Sequence, residues 1–414
     1  MQILMLCTKY ALNGGDDYLT NELVSACVSQ GHRVQVVVLD WSARPGAHPP
    51  KHLSIDGVDV MALAPCAIES LGGLVRLASK WGLSSLRAAK VMRSALRGRS
   101  FDLLVAFSPV SAVAAQALWA MRKFRTRNYL VMWDFFPYHH RSIGLIPDGW
   151  PFTIARSLEG SLVGRFDVIG CMSERNVAYL KSHYRLRPWQ RVEILPIWGR
   201  IETPSIMSRD EARKAFGLPP DRHIVVHGGQ ITQGRGIDDI LAAAAIARQQ
   251  HPALAFLLIG EGRLTSLVCD HIARGGDNVI YLPRVARDDY LNVISACDVG
   301  LICTVRHVDV PTFPSKVIDY LRVGLPVVAS VEQSTDYGSF IEDHGIGLAV
   351  SAGDPTAMVR AIWAIINDRN GRERMALAAR RTLAETFDVR RVAQRLIESA
   401  CLVSSDGAAC KNDV

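Results

Sequence analysis

This chain of 414 residues has no apolar run of the roughly 18 residues that a membrane-spanning helix requires. Its first ten residues, MQILMLCTKY, lack the charged region that opens a signal peptide, so they predict a first strand instead. The nine cysteines stand singly, without a CxxC pair or a cysteine and histidine cluster at zinc-binding spacing. We therefore expect reduced thiols in a cytoplasmic protein without structural zinc.

Acidic residues are absent from positions 74–100, which hold seven lysines and arginines in a chain of net charge +7. A helix at about 84–97 would place Arg87, Lys90 and Arg93 on one face and apolar side chains opposite. Two interpretations stay open: an ordinary surface helix, or contact with an anionic membrane surface or lipid-linked acceptor. No interleaved aromatic residues or recognition module accompany these charges, so we expect no nucleic acid partner.

The length predicts two domains of roughly 200 residues each. Short apolar runs alternate with helical periods, which is typical of doubly wound parallel α/β sheets. The predicted strands are residues 2–7, 33–39, 58–63, 103–107, 129–133, 168–171 and 192–195, then 223–227, 255–259, 279–282, 299–302, 326–329 and 347–350.

The division between these halves is predicted near LPIWGRIETPSIM, where Pro196, Gly199 and Pro204 interrupt the periodicity. We expect a first domain at 1–197 and a second domain at 198–386, facing a cleft that the carboxyl ends of the strands line. A helix at about 387–403 would pack back on the first domain, and residues 404–414 would form a disordered tail.

Residues 307–330, HVDVPTFPSKVIDYLRVGLPVVAS, carry groups suited to an anionic ligand. Ser315 is predicted to cap a helix that begins with Lys316, leaving free N–H groups and the positive end of the helix dipole for phosphate. Lys316 adds a full charge there. Asp319, one turn later, could accept hydrogen bonds from a ribose diol. Cation and carboxylate together indicate a sugar nucleotide.

Two glycine-containing loops follow predicted strands and precede helices. NGGDDYLTNEL holds Gly14 and Gly15, which would let a ligand approach the backbone, although such a pair is as often simple turn chemistry. HGGQITQGRGIDDIL holds Gly229 and, in a tight Gly-Arg-Gly turn, Arg235. A guanidinium there is a candidate clamp for a diphosphate.

These features together resemble the retaining glycosyltransferases of family 4, whose two Rossmann-like domains form the GT-B fold. The resemblance is strongest over about 195–385, where HGGQITQGRGIDD, LLIGEGR, VIYLPRV, ACDVGLI, FPSKVIDYLRVGLPVVAS and GIGLAV follow in order. The first half matches more loosely, through GGDDYLTNEL and YLVMWDFFP. The resemblance implies that the second half binds a nucleotide-sugar donor, such as a UDP- or GDP-sugar, and that the first half binds the acceptor.

By this resemblance the site residues divide by the part of the donor that they contact. The base would lie near Leu282, Pro283 and Arg284, and the ribose at Asp319. The diphosphate would lie at Arg235 and at Ser315 and Lys316. Further donor-binding positions would be Gly15, Gly229 and Gln230.

The chain departs from the family pattern at two places. Gln230 and Arg235 stand where members usually have Arg and Lys, so one cation is missing and Lys316 is a candidate substitute. Members often have two glutamates eight positions apart, and here those places hold Pro311 and Asp319. Reading of the donor sugar is therefore assigned to other groups of the same loop, namely Asp309, the Thr312 side chain, and the backbone N–H groups of Thr312 and Phe313.

A retaining transfer by a front-face route needs charge stabilisation on the departing diphosphate, which Arg235 and Lys316 would supply. An inverting transfer would need a base, and Asp134 is the first-half candidate, either as base or as an acceptor-hydroxyl ligand; a structural turn acid is the other interpretation. His139 and His140 are either functional or a solvated loop pair. The remaining acidic pairs lie near helix starts, where capping explains them, so we expect no metal and no other cofactor.

The sequence therefore predicts a glycosyltransferase that moves a sugar to a glycan or polyprenyl-linked acceptor in polysaccharide biosynthesis. It would be cytoplasmic and peripheral at the inner face of the cell membrane. Two alternatives stay open: a nucleotide-sugar 2-epimerase of the same fold, and a non-catalytic nucleotide-binding partner.

Overall fold

The computed structural model describes residues 1–12, 18–41, 43–66, 73–202 and 206–402, with the backbone alone for 73–79. Gly15 and the predicted tail at 404–414 therefore lie outside the described residues. The chain divides into two compact units: unit 1 holds Met1–Pro196 and the segment from Val389 onward, and unit 2 holds Ile197–Asp388.

Unit 1 is built on an eight-stranded sheet in the order β3-β4-β2-β1-β5-β6-β7-β8. All neighbouring strands are parallel except β3 and β4. The strands are β1 (Gln2–Cys7), β2 (Arg33–Leu39), β3 (Lys51–Ile55), β4 (Val58–Leu63), β5 (Leu103–Phe107), β6 (Arg127–Met132), β7 (Val168–Cys171) and β8 (Arg191–Ile194). Near-continuous apolar runs form the central strands because helices cover both faces of such a sheet.

The helices of unit 1 are α1 (Leu19–Ser29), α2 (Gly73–Ala95), α3 (Ala114–Phe124), α4 (Tyr138–Ser142), α5 (Trp150–Val163) and α6 (Glu174–His183). A 3-10 turn, Val110–Val113, precedes α3. The final helix of the chain, α15 (Val389–Leu402), also belongs to unit 1: it packs on α1, and the Ser399 hydroxyl donates to the buried carboxylate of Glu193 at 2.6 Å.

Unit 2 contains a six-stranded parallel sheet in the order β11-β10-β9-β12-β13-β14. Its strands are β9 (His223–Gly228), β10 (Leu254–Ile259), β11 (Val279–Leu282), β12 (Val299–Cys303), β13 (Val327–Val331) and β14 (Gly347–Ser351). Its helices are α7 (Arg209–Ala215), α8 (Ile237–Gln250), α9 (Thr265–Ala273), α10 (Arg287–Ser295), α11 (Val317–Val323), α12 (Tyr337–Asp343), α13 (Pro355–Asn367) and α14 (Arg369–Thr386). The two doubly wound sheets predicted from the sequence are thus confirmed.

Each sheet has one point where the strand order reverses. In unit 2 the chain leaves β9 toward β10 and later returns to place β12 on the other side of β9. In unit 1 the corresponding neighbours are β1 and β5. The loops that leave two such strands diverge to opposite faces, and the crevice between them is where open α/β sheets bind ligands.

The basic helix predicted at about 84–97 is the second half of α2. Ala88, Met92 and Leu96 are buried, whereas Arg87 and Lys90 are exposed, so the predicted apolar and basic faces are confirmed. The helix begins earlier than predicted, at Gly73. Among all the helices in the described ranges, none is both long and apolar enough to cross a membrane.

Candidate active site

The strand-order reversal in unit 2 brings a lysine and a histidine together. His227, the penultimate residue of strand β9, is 1% exposed, and its Nε2 lies 3.2 Å from Nζ of Lys316. The other ring nitrogen, Nδ1, lies 3.2 Å from the carbonyl oxygen of Leu301 in β12. Because a carbonyl only accepts, Nδ1 carries the proton and Nε2 is free to accept from the ammonium group. His227 therefore fixes the position of Lys316.

Burial and a neighbouring positive charge both disfavour the protonated form of Lys316. Burial, reinforced by the charge of Arg235, lowers the pKa of Lys316 to about 7. Burial also drives the pKa of His227 well below its usual value, with the charges of Lys316 and Arg235 acting in the same direction. The imidazole is therefore neutral, and the site holds two cationic side chains in a position that an anion would stabilise.

Arg235 lies in the loop between β9 and α8, and its charge acts on both Lys316 and His227, so the structure brings together the two predicted diphosphate cations. Gly229 begins the same loop with a φ of +118°, and a Cβ placed there would lie 3.8 Å from Nζ of Lys316. Gln230 follows it and is exposed. These three loop positions and Lys316 line one end of the sheet.

The start of α11 differs from the prediction. The helix begins at Val317, with Lys316 at the capping position, and Lys316 makes no side-chain capping hydrogen bond. Ser315 contributes its carbonyl, which accepts from the N–H of Ile318 at 3.1 Å, and its side chain is exposed. The prediction that Ser315 caps a helix beginning at Lys316 is therefore wrong, because the chain turns into the helix one residue later.

Asp319 is engaged by two arginines. Both of its carboxylate oxygens accept from Arg287 of α10, one of them at 2.8 Å, and Arg322 lies 3.5 Å from Oδ1. The Asp319 side chain is 16% exposed. A ribose diol at this carboxylate would have to share it with Arg287, so the assignment of Asp319 to the ribose stays a prediction.

Glu332, directly after β13, holds the loop that was predicted to read the donor sugar. Its Oε1 accepts from the Thr312 hydroxyl at 2.7 Å and from the Thr312 N–H at 3.3 Å, and its Oε2 accepts from the Thr304 hydroxyl. Glu332 is 5% exposed. Thr312 therefore uses both predicted donor groups inside the protein, and its carbonyl accepts from Thr335 at 2.6 Å.

The remaining donor-side predictions fall in different environments. The Phe313 ring is 7% exposed and packs against Tyr337, Phe340 and Phe387 at centroid distances of 4.8, 5.4 and 6.3 Å. Its side chain thus anchors the loop in the core. Arg284 is exposed just after the edge strand β11, two strands away from β9. In the sheet, β10 therefore separates the strand that precedes Arg284 from the strand that carries His227.

Two glycines after β10 allow the loop after β9 to approach it closely. A Cβ on Gly260 would lie 1.9 Å from the carbonyl oxygen of Gly229, and one on Gly262 would lie 2.2 Å from that of Ile231. The N–H of Ile231 donates to the carbonyl of Glu261 at 3.0 Å. These glycines serve the packing of two loops, which fixes the backbone leading to Arg235.

In unit 1, Asp134 lies in the loop after β6. Its N–H and that of Trp133 donate to the Ser108 hydroxyl after β5, at 2.8 and 2.9 Å. Its carboxylate is 30% exposed and lies 3.8 Å from Nδ1 of His140. The backbone of Asp134 is thus fixed by a neighbouring loop, while its carboxylate keeps access to solvent.

Glu159 of α5 is a buried acid near Asp134 that the sequence analysis did not identify. Its two oxygens accept from the N–H groups of Val110 and Ser111 at 2.6 and 2.8 Å. Burial raises the pKa of Glu159 to about 7 against the lowering effect of these hydrogen bonds, and the charge of Asp134 adds to the increase. The available signal was its spacing from Phe152, Leu162 and Val163, which places an acid on the inward face of α5.

His139 and His140 lie on α4 and are half-buried, so their interpretation as a solvated loop pair is wrong. The His140 ring belongs to a row of four rings in which Trp41 contacts Trp81, Trp81 contacts Phe136, and Phe136 contacts His140, at centroid distances of 5.6, 5.0 and 5.1 Å. We call these four side chains the aromatic row. Phe136 is buried, whereas Trp41, Trp81 and His140 are half-buried. Partly exposed rings beside a carboxylate are suited to polyhydroxylated ligands, whose C–H faces and hydroxyl groups they contact.

Two of the acidic pairs predicted near helix starts lie in first turns. Asp238 and Asp239 open α8, and Asp288 and Asp289 open α10, where the helix dipole favours them; Asp16 and Asp17 are outside the described residues. Within the part of the chain that the structure describes, no group of three His, Cys, Asp or Glu side chains could hold a metal ion. Independence from metal stays a prediction.

Two family models match the chain, one for each unit. Residues 14–198 match the model described as "Glycosyl transferase 4-like domain", and residues 208–382 match "Glycosyl transferases group 1". Among curated proteins, the "Putative colanic acid biosynthesis glycosyl transferase WcaI" of Escherichia coli is 21% identical over 383 residues, which covers 87% of this chain and 91% of that protein.

Solved structures with the same architecture include sucrose-phosphate synthase from Thermosynechococcus elongatus, at a TM-score of 0.74 and 17% identity over 97% of this chain and 99% of that one. Anabaena HepE in complex with UDP-glucose has a TM-score of 0.70 and 18% identity, covering 97% and 100%. These likenesses define the fold as GT-B. Together with the two family matches, they identify the chain as a glycosyltransferase.

Proposed function

We propose that this glycosyltransferase moves a sugar from a nucleotide-sugar donor, a UDP- or GDP-sugar, to a glycan or polyprenyl-linked acceptor, with retention of anomeric configuration. The reaction would belong to polysaccharide biosynthesis at the inner face of the cell membrane. The single observation that carries the donor assignment is the pairing of Lys316 with His227 at the strand-order reversal of unit 2, with Arg235 beside it.

A diphosphate fits this cluster for electrostatic reasons. Lys316 and Arg235 repel one another, which is part of the reason that the pKa of Lys316 is low. A diphosphate would relieve this repulsion, and its growing negative charge as the sugar bond breaks would strengthen the attraction further. Such stabilisation acts most strongly in the transition state, which is the requirement for catalysis.

Retention follows from the route by which the acceptor would lose its proton. On the front face of the sugar, the leaving phosphate oxygen can take the proton of the incoming hydroxyl while Lys316 and Arg235 hold the diphosphate. This route needs no protein base, and so it leaves Asp134 the role of binding the acceptor hydroxyl. An inverting route would instead require Asp134 to act as the base.

The acceptor assignment rests on unit 1. The carboxylate of Asp134 and the aromatic row occur together at the carboxyl ends of its strands. Sugar rings pack well on aromatic side chains, and a carboxylate orients their hydroxyl groups. The assignment to polysaccharide biosynthesis is supported by the relative named for colanic acid biosynthesis, which the match covers almost throughout.

The 2-epimerase and the non-catalytic binding partner have less support. An epimerase has no need of an acceptor side, whereas Asp134 and the aromatic row offer one. A non-catalytic role was suggested by the missing glutamate and arginine, but Lys316 supplies a second cation beside Arg235. Neither family model describes an epimerase.

The decisive experiment incubates the purified chain with a panel of labelled UDP- and GDP-sugars and a membrane extract, and then determines the anomeric configuration of the product by NMR. We expect label in lipid or glycan with retained configuration. An inverted product would shift the role of base to Asp134. Epimer formation without an acceptor, or nucleotide binding without turnover in the presence of the acceptor, would overturn the transferase proposal in favour of one alternative.

A further inference from the structure

Helix α5 of unit 1 has an unusual outward face. Trp150, Ile154 and Leu158, spaced one turn apart, are 72%, 58% and 51% exposed. The other exposed residues of this helix are Thr153, Arg156, Ser157 and Ser161. Arg156 is the single charged residue among the seven, so the face that a surface helix normally presents to water carries apolar and hydroxyl groups and one cation.

The inward face of the same helix is already used for the core. Phe152, Glu159, Leu162 and Val163 are buried there. The core therefore covers the inward face, whereas Trp150, Ile154 and Leu158 form an exposed stripe, and a contiguous exposed apolar stripe usually marks a contact surface. We therefore expect a partner to cover the stripe formed by Trp150, Ile154 and Leu158.

The surroundings of α5 are basic. Glu159 of α5 binds the N–H groups of Val110 and Ser111, and Ser85 of α2 accepts from the N–H of Ala115 at 2.8 Å, so both helices pack against the same short segment. The exposed face of α2 carries Arg87 and Lys90 beside Leu83 and Leu86, which are 40% and 62% exposed. Apolar and cationic groups therefore lie on neighbouring helices of one unit.

The net charge of unit 1 distinguishes between two partners that could cover this stripe, a second copy of the chain and an anionic bilayer. Unit 1, with the segment from Val389 onward, has 27 lysines and arginines against 17 acids, a net charge of +10, whereas unit 2 has 20 against 23, a net charge of −3. A second copy of the chain would bring two strongly cationic surfaces together, which is electrostatically unfavourable. An anionic bilayer would attract the same surface and accept its apolar side chains.

We propose that unit 1 docks on an anionic bilayer through the outward face of α5, with Trp150, Ile154 and Leu158 entering the headgroup region and the exposed face of α2 held at the lipid surface. Tryptophan is well suited to the interface because its ring is apolar and its N–H is polar. The proposal deepens the proposed function, since a polyprenyl-linked acceptor would lie in that bilayer. It can be tested without turnover.

The test is co-sedimentation of the full chain with vesicles of phosphatidylcholine mixed with phosphatidylglycerol, and with vesicles of phosphatidylcholine alone. We compare the wild type with the triple variant Trp150→Gln, Ile154→Gln and Leu158→Gln, since glutamine is a good helix former. Leu377→Gln is the matched control, because Leu377 is 71% exposed on α14 of unit 2. Circular dichroism and thermal unfolding verify that each variant is folded.

We expect the wild type and Leu377→Gln to bind the mixed vesicles and the triple variant to lose at least about tenfold in partition coefficient. The double variant Arg87→Gln and Lys90→Gln should bind the mixed vesicles more weakly than the wild type does. Its vesicle binding should also depend less on salt concentration. Equal binding by wild type and triple variant, or no binding at all, would overturn the proposal. So would a wild-type dimer that the triple variant dissolves, which would assign the face to a second copy.

Nucleotide binding and turnover, measured beside vesicle binding, separate the two proposals. If the wild type binds and turns over a nucleotide sugar but does not bind vesicles, the docking surface is wrong and the proposed function stands. If vesicle binding behaves as expected but no nucleotide sugar is turned over, the proposed function fails and the docking surface stands.

Discussion

Near the strand-order reversal of unit 2, the functional side chains are two cations and a neutral imidazole, Lys316, Arg235 and His227. At the carboxyl ends of β5 and β6 in unit 1, they are two carboxylates, Asp134 and Glu159, with the aromatic row nearby. The two sheets share one winding pattern, so the difference lies in the loops. If unit 2 binds a diphosphate and unit 1 binds neutral hydroxyl groups, as we propose, the two sites need side chains of opposite charge, and each unit supplies the appropriate set.

The largest predicted effect removes a cation from the unit 2 cluster. Replacing Lys316 or Arg235 with alanine should cost on the order of 2–4 kcal/mol in transition-state stabilisation, because each charge would oppose the developing charge of the diphosphate. The measurement is kcat and KM for the donor.

Lys214→Ala is the control for that series, because Lys214 is an exposed lysine on α7 and should leave the rate unchanged. Near-normal turnover by Lys316→Ala would remove this residue from the proposed site.

The matching change in unit 1 is Asp134→Asn. If the carboxylate binds an acceptor hydroxyl, its loss should cost about 1.5–3 kcal/mol, seen as a raised KM for the acceptor with an unchanged KM for the donor. Steady-state kinetics with each substrate varied in turn makes this distinction. A collapse of kcat at saturating acceptor would instead assign Asp134 the role of base.

A third change tests the loop that contains Thr312, which Glu332 holds through hydrogen bonds. Glu332→Gln should destabilise the protein by about 1–3 kcal/mol, because the Thr304 and Thr312 hydroxyls and the Thr312 N–H lose a buried charged acceptor. Thermal unfolding measures the loss, and a raised donor KM would show that the loop positions the donor.

Glu373→Gln provides the comparison for Glu332, since Glu373 is 67% exposed and its ion pair with Arg369 is a surface contact. If both variants unfold alike, Glu332 does not hold the loop.

The smallest effect concerns pH. The pKa of Lys316 is about 7, and a bound diphosphate would raise it because it favours the charged form. Donor binding should therefore take up a proton, and affinity should fall by up to about tenfold per pH unit as pH rises above 7.

Calorimetry in buffers of different ionisation enthalpy measures this proton uptake. Lys316→Arg should lose the dependence, since arginine stays charged across the range. Proton uptake that persists in Lys316→Arg would assign it to another group.

The strands and the cation-bearing loops were predictable because they depend on local pattern. Apolar runs flanked by turn residues predicted thirteen strands, while β3 was not predicted: its residues, KHLSI, are polar and largely exposed, and the strand pairs antiparallel at the sheet edge. An edge strand with little burial leaves a weak hydrophobic signal.

The residues that hold the site in place were less accessible from sequence. His227, Glu159 and Glu332 act through contacts with residues 89 positions away, 48 or 49 positions away, and 20 or 28 positions away, respectively. His227 lies near the end of an apolar strand, Glu332 directly follows one, and Glu159 lies on the inward face of a helix. None of these positions reveals the partner of the residue. Asp319 was identified as a candidate ligand, but its pairing with Arg287 of α10 depends on tertiary packing.

The central claim is that the Lys316 and Arg235 cluster binds the diphosphate of the donor. Its most direct test is a calorimetric comparison of nucleoside diphosphate with nucleoside monophosphate, each titrated into the wild type and into Lys316→Ala. We predict that the wild type prefers the diphosphate and that Lys316→Ala loses this preference while keeping its affinity for the monophosphate. Equal affinity of the wild type for the two nucleotides, or an undiminished preference in Lys316→Ala, would contradict the account.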